Sequence, residues 1–125
     1  MPQEPYGKGP WGAPPAPTVQ VVIRPVYGGA TYEGLALLDT GATCCVVPQS
    51  FADKAGWRWD GRRLISTPSG TRTMFVYSVV IEAFSRQWTV DAIGSQRPYA
   101  IIGRNLVNDL RILLNGPALK MEVLG

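Results

Sequence analysis

The sequence predicts an all-β domain with one or two short helices. Three observations predict it. The chain breaks into many short β-branched runs. Gly-, Pro- and Asn-rich turn signals separate those runs. Only two stretches carry helical signals, and both are brief.

The first 17 residues, PQEPYGKGPWGAPPAP after Met1, are Pro- and Gly-rich and lack periodicity. They read as a flexible arm, residues 1–17, with Trp11 exposed to solvent. At Thr18 the composition changes, and residues 18–125 read as one domain. VQVVIRPV (19–26) is a strand, Tyr27 to Ala30 a turn, and TYEGLALL (31–38) a second strand. TCCVV (43–47) resumes as strand after an interruption. PQSFADKA (48–55) suits a short helix, with Pro48 at its start and Gly56 after its end. Trp57 to Arg63 reads as a polar and aromatic connector. Residues 64–66, the turn TPSG (67–70) and residues 71–83 form a hairpin with one long arm. QWTVDAI (87–93) and YAII (99–102) are further strands. RNLVNDL (104–110) makes about two helical turns. Residues 112–114 and 119–123 close the chain as a hairpin around Asn115-Gly116.

The bulk numbers narrow the function. A chain of 125 residues makes a single domain, and 46% apolar residues suffice for a core. Charged residues are only 17%, a sparseness that favours apolar surface hidden in an oligomer. The net charge of +3 is spread along the chain, so nucleic acid is not an expected partner. There is no histidine, which excludes Ser-His-Asp and Cys-His catalysis and histidine metal ligands. Cys44 and Cys45 are adjacent and cannot form a disulfide framework. They read as two strand residues, one facing the core and one facing out. No apolar run reaches membrane-spanning length and no secretory signal is visible, so no membrane partner is expected and localisation stays open.

The chemistry concentrates in LALLDTGAT (35–43). An acid directly after an apolar strand is expected to be substantially buried, which is costly unless the carboxylate is hydrogen-bonded or functional. Gly41 lets the backbone turn and brings an amide to the carboxylate; Thr40 adds a hydroxyl. The plain alternative is a strand ending in an Asx-type turn with Asp39 as a cap. Downstream, AIIGRN (100–105) is an apolar strand closed by Gly and followed by a helix.

With LLDTGA and IIGRN in that order, the chain from Val19 to Val123 resembles the retropepsins, the retroviral-type aspartic proteases. The resemblance implies a closed β-barrel that forms one subunit of a homodimer. It implies Asp39 as the catalytic aspartate, in an active-site loop with Thr40, Gly41 and Ala42. By the same match, the Thr40 hydroxyl braces two such loops across the dimer, and the Gly41 backbone contacts substrate. Thr67, Pro68, Ser69, Gly70 and Thr71 lie where the family has its flap. Ile102, Gly103 and Arg104 match its structural support, with Leu106 on the helix beside them. Ala118 to Val123 lie where the family builds its dimer sheet. No metal or cofactor is implied.

One DTG and no second copy fits a dimer, because amide hydrolysis by water needs two carboxylates. The expected substrate is an extended polypeptide, apolar on both sides of the cleaved bond, in a pocket near Ala42, Val46, Ile65, Pro98 and Ile101. Self-cleavage near Ala16 to Val19 would release the arm. Three features depart from the family. Thr43 stands where many members carry an acid, so Arg104 is expected to pair elsewhere, with a carbonyl or Asp109. The hairpin tip TPSGT has one Gly, and Pro68 stiffens it. Trp57 to Trp59 has no counterpart. Two other readings compete: a catalytically silent dimerisation or peptide-binding module, and a small β-barrel with an accidental DTG.

Overall fold

The computed structural model describes residues 3–8 and 14–124, so the reading of Trp11 lies outside the described residues. In chain order the elements are β1 (Gln3–Pro5), β2 (Thr18–Pro25), β3 (Tyr32–Leu38), β4 (Cys45–Pro48) and α1 (Gln49–Lys54). Then come β5 (Gly61–Thr67), β6 (Gly70–Ala83), β7 (Arg86–Ser95) and β8 (Ala100–Ile102). The chain ends with α2 (Arg104–Val107), β9 (Arg111–Asn115) and β10 (Lys120–Leu124).

The expected closed barrel is present. Six strands follow one another as β2-β3-β8-β4-β7-β6, and β6 pairs back onto β2. The seam sets Ile23 opposite Ile81, both buried. On the outside of the seam the Arg24 guanidinium donates to the Glu82 carboxylate and holds its pKa below the usual carboxylate range. Gln87 donates to the same oxygen at 2.8 Å. The alternation of β2 follows from its pattern: Val19, Val21 and Ile23 point inward and Gln20 outward.

β6 is longer than its neighbours, and that length shapes the molecule. Residues 76–83 pair with β7 inside the barrel. Residues 70–75 pair only with β5, so the β5–β6 hairpin projects beyond the ring. The hairpin turns at Pro68 and Ser69, and Gly70 takes φ +126. Its first strand begins at Gly61, inside the stretch expected to be a connector. The β6–β7 turn carries no glycine. Phe84 and Ser85 adopt φ 53 and 60, a primed-type turn that the sequence does not announce. Burial of the Phe84 ring offsets the backbone cost.

Trp57 is core. Its indole N–H donates to the Ala30 carbonyl at 2.6 Å. Tyr32, Phe51, Trp57 and Tyr77 form an edge-on run with centroid separations of 5.2, 5.7 and 5.8 Å. Trp59 is instead half exposed, against Phe75 at 5.1 Å.

A second sheet runs β1-β10-β9. Gln3–Pro5, three residues of the segment expected to be flexible, pair with Lys120 to Glu122. An edge strand tolerates Pro5, whose missing donor faces away from the ladder. Met121 and Val123 of β10 enter the common core. The second helix is shorter than the expected 104–110. After Val107 the chain turns, with Leu110 N–H donating to the Val107 carbonyl, and the Asp109 carboxylate accepts from the Trp88 indole at 2.8 Å. Leu113, Leu114 and Leu119 of the last hairpin lie about half exposed.

Truncating the seam tests this closure. Ile81→Ala should lower the unfolding free energy by about 2–5 kcal/mol, read as a lower midpoint in a guanidinium titration.

Candidate active site

Asp39 follows Leu38, the buried end of β3. β3 lies parallel to β8, with Leu38 opposite Ile102. The Asp39 N–H continues this ladder and donates to the Ile102 carbonyl at 3.0 Å. The chain then folds back: Ala42 N–H donates to the Asp39 carbonyl at 3.2 Å, and Gly41 N–H to the Asp39 Oδ1 at 2.8 Å. The carboxylate is therefore oriented by its own loop. A side chain at position 41 would put its Cβ 3.1 Å from that oxygen. Asp39 is half-buried, less than its place after an apolar strand implies. The reason is the turn at Thr40 and Gly41, both exposed, which carries the loop toward the open face.

The IIGRN segment grips the loop from the other side. A Cβ on Gly103 would lie 2.3 Å from the carbonyl carbon and oxygen of Cys44, so glycine alone permits this approach. Arg104 N–H donates to the Ala42 carbonyl at 2.9 Å. Asn105 accepts from Cys45 N–H at 2.9 Å through Oδ1 and donates from Nδ2 to the Asp91 carbonyl at 2.8 Å. One side chain thus ties the segment after the loop to β7. Asn105 is the structural residue that sequence reasoning passed over; it stands inside the quoted IIGRN segment. Of the two partners expected for Arg104, a carbonyl or Asp109, the Asp109 pairing is not formed. Arg104 is exposed, and Asp109 is engaged by Trp88. Leu106, beside it, is fully buried.

The two cysteines are both buried and free. Cys45 belongs to the core, as expected of one of the pair, whereas Cys44 stays outside the core and lines a cleft without being exposed. Cys44 precedes β4, so strand alternation has not begun there, and its backbone is pressed against Gly103. Burial pushes the Cys45 thiol up to about 11. Burial also raises Cys44, with the Arg63 charge drawing it back in part.

The other expected residues sit as follows. Val46 faces Ile101 across β4 and β8. Ala42 and Ile65 are half-buried, and Pro98 is exposed. Thr67 pairs with Gly70 at the hairpin end, while Pro68, Ser69 and Thr71 are exposed. Thr40 lies beside Leu38, Val107, Leu110, Ile112 and Leu114 in a cleft of about 320 Å³. On the other side of β3, Leu35, Leu37 and Tyr99 line a smaller apolar cleft with Lys8 and Thr18.

No family model matches the chain, and no curated protein matches it. Solved structures do. The chain is similar to the protease of simian foamy virus (mac), with TM-score 0.56 and 23% identity over 74% of this chain and 92% of that one. It is similar to EIAV protease in complex with an inhibitor, with TM-score 0.58 and 24% identity over 75% of this chain and 86% of that one. The barrel is therefore a retropepsin-like fold, that of a retroviral protease monomer.

Two outcomes test this geometry. Gly103→Ala should cost about 3 kcal/mol, at the upper end of overpacking because backbone must move, measured by chemical denaturation. The raised Cys45 value favours the folded state while the thiol stays neutral. That contribution is present below the thiol's ordinary value of 9.0 and is lost as pH rises toward about 11. The melting temperature should fall across that window in wild type, and by less in Cys45→Ala relative to its own value at pH 8.

Proposed function

We propose that the chain is an aspartic endopeptidase that acts as a homodimer, with one Asp39 carboxylate from each subunit. The observation that carries this reading is the Asp39 loop. Its carboxylate is oriented by the Gly41 amide at 2.8 Å, and its backbone is tied to Ile102 and Arg104 on a retropepsin-like barrel. Water attack on an amide needs a general base and a general acid. One chain offers a single such carboxylate, and a two-fold axis supplies the second. Two carboxylates about 3 Å apart share one proton, because both cannot ionise together. The ionised one takes a proton from water as the oxygen attacks the scissile carbonyl carbon. The protonated one donates its proton to the carbonyl oxygen, giving a neutral gem-diol. The C–N bond then breaks as the carboxyl that took the water proton delivers it to the leaving nitrogen. The other carboxyl takes back a proton from a gem-diol hydroxyl, which restores the starting pair.

Exposed apolar surface supports the dimer. Leu113, Leu114 and Leu119 on the β9–β10 hairpin are about half exposed, and Leu114 borders the cleft that holds Thr40. Covering these leucines with a second copy removes apolar surface from water and brings the Thr40 loops together. In this reading Thr40 braces the two loops, the Gly41 backbone meets substrate, and the β5–β6 hairpin around Pro68 to Gly70 is the flap. An extended polypeptide lies beneath it and adds a strand to flap and floor.

Self-cleavage between Ala16 and Val19 belongs to the same proposal. In the fold these residues are engaged: the Pro17 carbonyl accepts from Leu38 N–H at 2.9 Å, and Thr18 and Val19 are buried. Cleavage there requires this segment to leave the barrel first. An N-terminus that stays intact by mass spectrometry, in protein that cleaves other substrates, removes this part.

The test is cleavage of an unbiased peptide library at several pH values by wild type and by Asp39→Asn, with products read by mass spectrometry. Wild type should cut between apolar residues, and the variant should lose at least about 10³-fold in rate, as expected when an essential acid–base group is removed. A dimer that cleaves nothing would favour the peptide-binding module.

A further inference from the structure

The β5–β6 hairpin is strongly basic. From Gly61 to Ile81 the chain has no acidic residue, and it carries Arg62, Arg63 and Arg72, all exposed. The register divides these arginines between two faces. Arg62 is opposite Phe75, and its guanidinium lies over the Trp59 ring at 5.7 Å, on the face that continues to the core residues Tyr77, Val79 and Ile81. Arg63 is opposite Met74, and Ile65 is opposite Arg72. These four residues share the other face, which points away from the barrel core and continues through Val76 to Ile93, Val46 and Ile101, beside the side chains expected to line the pocket. Ile65 and Met74 are half-buried there, with the two arginines on the opposite diagonal.

Each arginine borders a separate cleft. Arg63 lines one with Thr43, Cys44, Val90, Asp91 and Asn105, a few residues beyond the Asp39 loop. Arg72 lines another with Gln49, Met74, Gly94 and Gln96. Among the described residues the only ion pair is Arg24–Glu82, so neither arginine is neutralised by contact. Asp91 shares the first cleft and weakens its potential without pairing with Arg63. Two uncompensated cations on a face that also presents apolar side chains favour an anion on whatever lies beneath.

We infer that Arg63 and Arg72 select polypeptide substrates that carry Asp or Glu outside an apolar centre, two or more residues from the scissile bond. This rests on the protease reading above and refines its substrate class. The apolar pair Ile65 and Met74 meets the centre. An extended peptide advances ~3.3 Å per residue, so an acid two or more residues from the scissile bond stands clear of the apolar centre. Charge attraction across a partly desolvated groove acts mainly on specificity and on encounter.

The experiment uses the full chain with Asp39→Asn, which removes turnover, and three fluorescent ten-residue peptides. All share one apolar centre; the outer positions carry Glu, Gln or Lys. Binding is read by anisotropy at low and high salt, and wild-type kcat/KM is measured on the same peptides. The Glu peptide should bind and be cleaved about tenfold better than the Gln peptide at low salt, with the ratio falling toward one at high salt. Adding Arg63→Gln with Arg72→Gln should bring that ratio close to one, and Arg63→Glu with Arg72→Glu should turn the preference toward Lys. Binding or cleavage without a charge preference, or a preference that survives both double variants, overturns the inference and leaves the protease reading standing. An oligonucleotide that binds Asp39→Asn more tightly than the Glu peptide, and is lost in the Gln variant, also overturns it. No binding of any peptide and no cleavage by wild type overturns the protease reading and the inference together.

Discussion

The close approach of Gly103 to the backbone of Cys44 is the constraint on which the rest of the site depends. Only a residue without a Cβ lets the end of β8 press against the chain that leaves the Asp39 loop. Once that approach is made, the other links fall within hydrogen-bonding distance. Asp39 N–H reaches Ile102, Arg104 N–H reaches Ala42, and Asn105 reaches both Cys45 and Asp91. Each bond is modest in net energy, about 1 kcal/mol. Together they fix a half-buried carboxylate with little freedom to move. The barrel supplies the frame, since β3, β8 and β4 must be neighbours for the loop between β3 and β4 to lie over the end of β8.

The same frame explains the faces left open. Closing the ring consumes both edges of β2 and β6, yet β6 is too long for the ring and extends as a hairpin with β5. The β9–β10 hairpin sends Met121 and Val123 into the core and leaves Leu113, Leu114 and Leu119 in water. A chain with so few charges has little else to cover such surface. An apolar flank beside Thr40 and a basic hairpin over two clefts are the surfaces on which a second copy and a peptide would act.

Much of this was legible in the sequence, and the limits have physical causes. The strands of the barrel were readable from β-branched runs and from Gly and Pro punctuation, and LLDTGA with IIGRN pointed to the loop and its support. Local pattern could not show that Gln3–Pro5 pairs with a strand more than a hundred residues away, because an edge strand needs only backbone groups. The turn at Phe84 and Ser85 lacks the glycine that would mark it, its cost offset by a buried ring that only tertiary structure reveals. The expected seven-residue helix stops at Val107, where the turn through Asp109 and its bond to Trp88 takes over. Cys44 is buried although it lies outside the core and before β4 begins, which a period of two does not foresee. Asn105 sat in plain view, but its two bonds become visible only when β4 and β7 are brought beside it.

The central claim is that one catalytic centre is built from two copies of Asp39, and subunit mixing tests it most directly. Wild type and Asp39→Asn are combined at fixed total concentration, exchanged to equilibrium and assayed across mixing ratios. If each centre needs both carboxylates, specific activity follows the square of the wild-type fraction, because mixed dimers are silent. A linear dependence, in which each wild-type chain works whatever its partner, would contradict the account.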